Sequence, residues 1–274
     1  MESIITQATN NNLVMKKLAL LSLALVSAQA SLAQTDTGGA RIGIRGGATY
    51  ATIGGKDIKQ VGGVDVGGDV NYKLSFNAGI ALQLPISSDG FWSFAPEILV
   101  NRKGFERKFV ITDANALATN PQVTANDPRA DDSGYTVEKY KYERRRVLTY
   151  IDLPLPVRIN TAPGGSGLYF ELGPQIGYMA RSSQDFKQTY KYAGQDNEVV
   201  NKASGDQKED LASFDIGGIA GLGYQSANGL SLGIRYNQGF KSLLDTKDVS
   251  ARNEPKAFNR AFMLQIGYLL PLGN

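Results

Sequence analysis

The chain has 274 residues, of which 42% are hydrophobic and 20% are charged, and its formal net charge is +3. This composition excludes a disordered chain, and the small net charge gives no electrostatic reason to expect nucleic acid as a partner. The sequence has no Cys and no His, which excludes disulfides, thiolate sites and imidazole chemistry. Glycine and tyrosine are abundant, with 31 and 13 residues, and both are frequent in β-barrels.

The first 33 residues have the features of an N-terminal extension followed by a secretion signal. Met15-Lys16-Lys17 precedes an apolar run over 18–28, and Ser31-Leu32-Ala33 offers small residues for cleavage after Ala33. The apolar run is too short to span a bilayer as a helix, and no later stretch reaches the ~20 apolar residues required. We therefore expect residues 1–33 to be removed on export, which leaves one domain over 34–274.

After residue 34, about eight segments of strand length alternate apolar residues with polar residues or glycine. The pattern is clearest in Leu230–Tyr236, where every second residue is apolar and the residues between are Ser, Gly or Arg. A period of two is typical of a strand with one apolar and one polar face. The predicted strands are 41–53, 71–84, 91–105, 144–160, 167–181, 212–225, 229–242 and 258–271.

The connections between these strands alternate between short and long. The short connections are Pro85–Gly90, Thr161–Ser166 and Ser226–Asn228, and the long ones are 54–70, 106–143, 182–211 and 243–257. Short turns at one rim and long loops at the other are typical of bacterial outer-membrane barrels. The sequence therefore predicts an all-β, eight-stranded antiparallel up-and-down transmembrane β-barrel with short periplasmic turns and long extracellular loops.

A soluble β-fold would show the same alternation, but with its apolar face inward. The predicted polar faces combine charged residues with mid-strand glycines, which suit the crowded interior of a narrow barrel and favour the membrane protein. Parts of the long loops also alternate, at 105–112, 135–143 and 186–192, so the third, fourth and fifth strands are expected to continue outward. The tip over 115–133, rich in Asn, Asp, Ala and Pro, is expected to be mobile.

Several short motifs follow one another along the predicted strands. They are Pro96-Glu97-Ile98-Leu99 with Lys103-Gly104, Tyr150–Val157, Leu172–Tyr178, Phe214–Gly217 with Gly221–Tyr224, and Leu232–Asn237 with Gly239. In order and spacing the chain resembles the PorT-like outer membrane β-barrel family of Bacteroidetes over most of residues 42–270. The resemblance implies an eight-stranded barrel in the outer membrane of a Gram-negative cell. Namesake members are associated with type IX secretion and gliding, but a shared fold does not fix a shared role.

Seven charged residues fall on the predicted polar faces and would point into the barrel. They are Arg45, Glu97, Asp152, Arg158, Glu171, Asp215 and Arg235. An interior enclosed by eight strands is just wide enough for side chains to fill, and a buried charge must be paired because an unpaired one costs several kcal/mol. We interpret the seven as a structural salt-bridge network in the lumen. An acid/base constellation or a solute filter would use the same residue types.

Without histidine, hydrolases and acyltransferases of the Ser–His type and proteases of the Asp–His type are excluded. A Ser–Lys or two-carboxylate site is left open, although no motif indicates one. The oxygens of the 65–71 segment would suit a weak Ca²⁺ site, but a solvated Gly-rich loop explains them better. We expect no enzyme activity, no cofactor and no metal.

A basic cluster with interleaved tyrosines lies where the fourth strand begins. It consists of Lys139, Lys141, Arg144, Arg145 and Arg146, with Tyr140 and Tyr142 between them. At the outer rim such a cluster would bind lipopolysaccharide phosphates through charge-assisted hydrogen bonds. A solvated strand extension with a tyrosine girdle is the alternative.

These observations predict a non-enzymatic outer-membrane barrel with a plugged lumen that acts through its extracellular loops. Its role would be surface binding or envelope and secretion assembly. The expected partners are outer-membrane lipid, lipopolysaccharide and envelope or secretion proteins. The alternative is a narrow pore for small solutes, and a carboxylate hydrolase would require Asp152 and Glu171 to be unpaired and accessible to solvent.

Overall fold

The computed structural model describes residues 39–55, 60–61, 64–65, 69–132, 134–206, 208, 211–245 and 256–272. The expected signal peptide and its cleavage site lie outside these residues. Most side chains of the 65–71 segment, whose oxygens would suit a weak Ca²⁺ site, also lie outside the described residues.

Within the described residues the chain forms thirteen strands, two short α-helices and one 3₁₀ helix at Pro163–Gly165. The strands are β1 (Arg41–Gly54), β2 (Gln60–Val61), β3 (Val64–Asp65), β4 (Asp69–Pro85), β5 (Trp92–Phe94), β6 (Glu97–Ile111), β7 (Val137–Pro154), β8 (Val157–Ala162), β9 (Ser166–Tyr192), β10 (Val199–Asp206), β11 (Phe214–Gln225), β12 (Leu230–Gly239) and β13 (Phe258–Pro271). The helices are α1 (Ala114–Thr119) and α2 (Pro121–Thr124). Neither helix, nor any other in the described part of the chain, is long and apolar enough to cross a membrane.

Eight antiparallel strands close into a ring in the order β1, β13, β12, β11, β9, β7, β6, β4 and back to β1. Closure is visible in the register, since Tyr50 on β1 pairs with Phe262 on β13 and with Leu74 on β4. A closed ring pairs the backbone groups of every strand with its neighbours, as the apolar core of a membrane requires. The up-and-down barrel predicted from the sequence is confirmed.

Two of the predicted strands are interrupted near the periplasmic rim. The predicted strand 91–105 is divided into β5 and β6, and the predicted strand 144–160 into β7 and β8. Both breaks fall at prolines, which have no N–H to donate to a neighbouring strand. The hydrogen bonding nevertheless continues through the breaks, because the Pro96 carbonyl accepts from Leu82 N at 2.9 Å and the Pro156 carbonyl from Ala95 N at 2.9 Å.

The two faces of the barrel wall have opposite polarity. Each strand of the ring exposes large apolar side chains on the outside, for example Ile44, Phe76, Val100, Ile151, Phe170, Ile216, Ile234 and Leu264. Each also buries polar side chains on the inside, for example Thr49, Asn77, Asn101, Asp152, Gln175, Asp215, Asn237 and Gln265. A soluble barrel would have the reverse arrangement, so the apolar alternation read from the sequence is the lipid-facing one.

Aromatic side chains gather at both ends of the apolar band. At the extracellular end they are the exposed Tyr50, Tyr72, Tyr178, Phe214 and Phe262, with the half-buried Tyr236 against Phe262, and near the short turns they are Trp92, Tyr224 and Tyr268. Neighbouring rings are in contact, as in the stacked pair Tyr50–Tyr72 with centroids 4.6 Å apart. Two such girdles mark the two membrane–water interfaces of an outer-membrane barrel.

Beyond the extracellular girdle, β6, β7 and β9 continue outward and β10 joins them, forming what we call the extracellular sheet. The outward continuation of the third, fourth and fifth predicted strands is confirmed. The tip, which the sequence predicts to be mobile, instead contains α1 and α2. Asp113 caps α1, since its side chain accepts a hydrogen bond from Ala116 N at 2.9 Å. Leu117 and Val123 are buried against tyrosines of the sheet, so the segment 114–124, which we call the cap, packs on the sheet.

Candidate functional sites in the barrel interior and on the extracellular sheet

The middle of the barrel interior holds five of the seven predicted lumen charges in one connected group. We call this the arginine–glutamate network, and its members are Arg45, Glu97, Arg158, Glu171 and Arg235. Arg235 is the hub, since Nη1 and Nη2 each donate to Glu97 at 2.8 Å and Nε donates to Glu171 at 2.7 Å. Arg45 donates to Glu97 at 2.6 Å and Arg158 to Glu171 at 2.9 Å.

Two of the contacts in this network join strands on opposite sides of the ring. Arg235 on β12 meets Glu97 on β6, and β12 and β6 are four places apart in the eight-membered order. Arg45 on β1 approaches Glu171 on β9 at 3.7 Å, again across the full ring. Three guanidinium groups and two carboxylates therefore meet near the barrel axis, and each of these residues is at most 5% exposed.

The other two predicted charges, Asp152 and Asp215, lie one layer nearer the extracellular side. Lys103 joins them, with Nζ 3.0 Å from Asp152 and 3.6 Å from Asp215. Sequence reasoning missed Lys103 as an interior residue, although it is six residues from Glu97 and therefore on the same face of β6. Asn259 completes this layer by donating to Asp215 at 3.0 Å and to the Tyr150 hydroxyl at 3.2 Å, which again joins opposite sides of the ring.

Uncharged layers close the two ends of this charged interior. At the periplasmic end, Gln225 on β11 donates to Gln83 on β4 at 2.7 Å across the ring. At the extracellular end, buried apolar side chains cluster over the charges: Leu148, Tyr150, Met179, Leu211, Leu243 and Ala257. The connection before β11 and the connection after β12 meet here, because Ala212 N donates to the Leu243 carbonyl at 2.9 Å.

Interior glycines make room for these large side chains. Gly223 and Gly233 are register partners on β11 and β12, and the Tyr169 side chain lies against both. A Cβ atom would be 2.5 Å from the Tyr169 hydroxyl at Gly223 and 2.2 Å at Gly233, so neither position has space for a side chain. Tyr169 in turn lies under Arg158, whose guanidinium carbon is 4.0 Å from the ring centroid.

The interior carboxylates do not meet the condition for a two-carboxylate hydrolase. Asp152 has no exposed surface and bonds Lys103 and Asn101, and Glu171 is 5% exposed and bonds Arg158 and Arg235. A general acid or base must reach a substrate proton, which these buried and paired groups cannot do. Among the described residues, no group of three or more acidic side chains is arranged to hold a metal ion.

The basic cluster predicted for lipopolysaccharide does not form one surface, because β7 is extended through it and successive side chains point to opposite faces. Lys139, Lys141 and Arg145 are exposed on the outer face. Arg144 donates to Gln184 on the inner face, and Arg146 is buried there and donates to Ser182 at 3.3 Å. The five side chains therefore do not share one face, and their contact with lipopolysaccharide stays a prediction.

The outer face of the extracellular sheet carries a different arrangement of charges, drawn from four strands. Glu106 on β6 is shared by Arg145 at 2.9 Å and Lys108 at 3.0 Å, while Glu143 on β7 pairs with Lys141 at 2.6 Å. Although burial opposes it, the hydrogen bonds from Lys108 and Arg145 hold the pKa of Glu106 below its usual value. These carboxylates are therefore charged at neutral pH and already engaged.

The inner face of the extracellular sheet has its own packed core. Tyr140, Tyr142, Tyr190 and Tyr192 are buried there together with Leu117 and Val123 of the cap. Gln188 donates to the Tyr140 hydroxyl at 3.1 Å, and burial raises the pKa of Tyr140 to about 12. The Tyr140 hydroxyl therefore stays uncharged at physiological pH, and the sheet projects from the membrane as a packed unit.

The closed ring, the apolar outer face and the two aromatic girdles define a class, the β-barrels of the bacterial outer membrane. The sequence supports the same conclusion, since residues 31–245 match the family model described as Outer membrane protein beta-barrel domain. The chain belongs to this family, and its location is the bacterial outer membrane.

Among solved structures, the chain is similar to Ail, the attachment invasion locus protein of Yersinia pestis, with 10% identity and a TM-score of 0.34 over 84% of this chain and 98% of that chain. Neisserial surface protein A matches with 10% identity and a TM-score of 0.32 over 84% and 98%. OprG from Pseudomonas aeruginosa matches with 13% identity and a TM-score of 0.32 over 86% and 98%. No curated protein sequence matches the chain significantly. Similarity at these identities and TM-scores does not indicate the role of this chain.

Proposed function

We propose that this protein is a non-enzymatic outer-membrane barrel with a plugged lumen, and that it acts through its extracellular sheet. Its role is to bind a component of the cell surface or to take part in envelope assembly. The observation that carries the proposal is the set of side chains that meet across the ring in successive layers. In the middle layer, Arg235 bonds Glu97 from the opposite wall with two hydrogen bonds of 2.8 Å.

The layers argue against a pore because each would have to open before a solute could pass. Breaking a buried, hydrogen-bonded ion pair by removing one partner costs about 3–5 kcal/mol, and Arg235 bridges two carboxylates at once. Three further contacts join strands across the ring or over its mouth, at Gln83–Gln225, Asn259–Tyr150 and Ala212–Leu243. The interior therefore serves as a packed core, which leaves the exposed sheet as the working surface.

The absence of histidine from the sequence and the pairing of the interior carboxylates support a role without catalysis.

We also propose that residues 1–33 are a signal peptide and that the mature domain starts at Gln34. N-terminal sequencing of the purified membrane form should then begin at Gln34, and a sequence that begins at Met1 or Met15 would contradict it. The order of the short motifs favours the PorT-like type of Bacteroidetes barrel, with lipids and envelope or secretion proteins as partners.

Electrical recording tests the plugged lumen directly. In planar bilayers, we expect the purified barrel to give no steady single-channel current, because its charged and apolar layers bridge the interior. A double variant, Arg45→Ala with Arg235→Ala, removes two of the three guanidinium groups and is the positive control for a widened interior. Steady currents from the wild-type protein would favour the alternative, a narrow pore for small solutes.

A further inference from the structure

The outer face of the extracellular sheet contains a groove of about 400 Å³ that runs across β6, β7, β9 and β10. Charged side chains from two adjacent rows of the sheet form its walls. The cations that line the groove are Lys108, Arg144, Arg145, Lys187 and Lys202, and the carboxylates are Glu106, Glu143 and Asp185. The groove is on the continuation of the lipid-facing surface, beyond the aromatic girdle.

Two lysines in this groove are placed directly opposite each other. Lys187 on β9 and Lys202 on β10 are register partners in an antiparallel pair. Like charges at such positions repel, because their Cβ atoms are only about 5 Å apart. Within the described part of the chain, neither ammonium group forms an ion pair, and Glu143, the register partner of Lys187 on β7, bonds Lys141 instead.

The carboxylates of the groove offset this repulsion only in part. Glu106 is shared by Lys108 and Arg145, so it has no further capacity for the lysine pair. Asp185 is the register partner of Arg145 on one side and of Ser204 on the other. Counting Lys187, Lys202 and Asp185, the β9–β10 end of the groove carries a net charge of +1, with the Ser204 hydroxyl beside it as a neutral donor.

The height of the groove above the membrane selects the kind of anion. Lys187 is nine residues beyond Tyr178 of the girdle, which is roughly 30 Å along an extended strand and about 20 Å vertically once the strand tilt is included. The groove also faces sideways, toward the neighbouring lipids. At this distance from the girdle, the anions that we expect beside the groove are those on the sugars that extend from outer-leaflet glycolipids.

We propose that this groove binds the phosphate groups of outer-leaflet glycolipid sugars, with Lys187 and Lys202 bridged by one phosphate and Arg145 and Ser204 beside it. The proposal rests on the proposed function, because it names the surface component that the extracellular sheet binds. An ammonium–phosphate contact is a charge-assisted hydrogen bond, and a phosphate between two lysines replaces their repulsion with attraction. The site differs from the five-residue cluster predicted from the sequence, of which only Arg144 and Arg145 line the groove.

The test uses the full-length protein in detergent micelles and measures binding by fluorescence anisotropy. The probe is a labelled, phosphorylated lipopolysaccharide core oligosaccharide, compared with the same oligosaccharide after enzymatic dephosphorylation and with inorganic phosphate as a competitor. The test variant is Lys187→Gln with Lys202→Gln. The matched control is Lys241→Gln with Lys256→Gln, two exposed lysines outside the groove with the same total change of charge.

We expect the Kd for the phosphorylated probe to rise at least about tenfold in the test variant and less than about twofold in the control. Binding should weaken as salt is raised and should need the phosphate groups of the probe, and inorganic phosphate should compete only weakly. Equal binding of the dephosphorylated probe, or equal losses in both double variants, would overturn the proposal. Inorganic phosphate competing as well as the oligosaccharide would also overturn it, because the site would then be a general phosphate site.

A second variant separates loss of binding from loss of folding. Lys202→Glu turns the like-charged pair into an oppositely charged one, so we expect it to abolish binding without lowering the thermal stability of the protein. Wild-type affinity in Lys202→Glu would count against the groove. None of these results depends on conductance, so a failure here would leave the plugged-lumen experiment to be judged by itself.

Discussion

Arg235→Gln is expected to lower the free energy of unfolding by about 3–5 kcal/mol, the range found when one partner of a buried ion pair is removed. Arg235 donates to Glu97 twice and to Glu171 once, and it is 1% exposed. Its removal leaves two buried carboxylates with fewer donors in a space closed to water. Urea unfolding of the barrel folded into lipid vesicles measures the change, with Trp92, the single tryptophan, as the fluorescent reporter.

The matched control is Arg181→Gln, which breaks an ion pair of similar length in a different environment. Arg181 Nη2 is 3.0 Å from Asp206, and the two side chains are 68% and 55% exposed. Exposed pairs contribute about 0–1 kcal/mol, so this variant should unfold almost like the wild type. Equal losses in both variants would mean that the arginine–glutamate network does not hold the barrel together.

Leu264→Arg is expected to cost about 2–4 kcal/mol, as found for a cation introduced at the lipid-facing midplane of a barrel. Leu264 is 51% exposed on the outer face of β13, between Phe262 of the extracellular girdle and Tyr268 of the periplasmic one. Its guanidinium would have to reach a distant interface or draw water into the apolar core of the membrane. The same vesicle unfolding experiment measures this cost.

Leu270→Arg is the control for depth in the membrane. Leu270 is 50% exposed on the same face of β13, but it lies beyond Tyr268 toward the periplasmic rim. There an arginine reaches headgroups and water, so its cost should fall to about 0–1 kcal/mol. If Leu264→Arg were tolerated as well as Leu270→Arg, this face of β13 would not be in contact with lipid.

The strand pattern was predictable because two environments impose the same period of two on every barrel strand. Lipid requires apolar side chains outside, and the narrow interior requires small or paired polar ones, so the faces of Leu230–Tyr236 follow from the residues alone. The same rule would have placed Lys103 in the interior, on the same face of β6 as Glu97. It would also have divided the basic cluster, since Arg145 and Arg146 are adjacent and must point to opposite faces.

Other features depended on contacts that local sequence does not encode. β10 has little apolar character, and it is a strand because β9 supplies its hydrogen-bonding partners. The tip of the long loop is polar overall, so a mobile segment was expected. Only the tyrosines of the sheet, which are distant in sequence, create the surface that buries Leu117 and Val123.

The sequence by itself determined the class of fold, the face that each strand turns to lipid, the charged character of the interior and the exclusion of imidazole chemistry. These properties depend on the order of residue types within a strand, and that order is local. Only the tertiary structure decided that Arg235 meets Glu97 across 138 positions of the chain, and that Lys187 faces Lys202. Which residues meet depends on ring closure and strand register, because these bring together side chains that no local pattern relates.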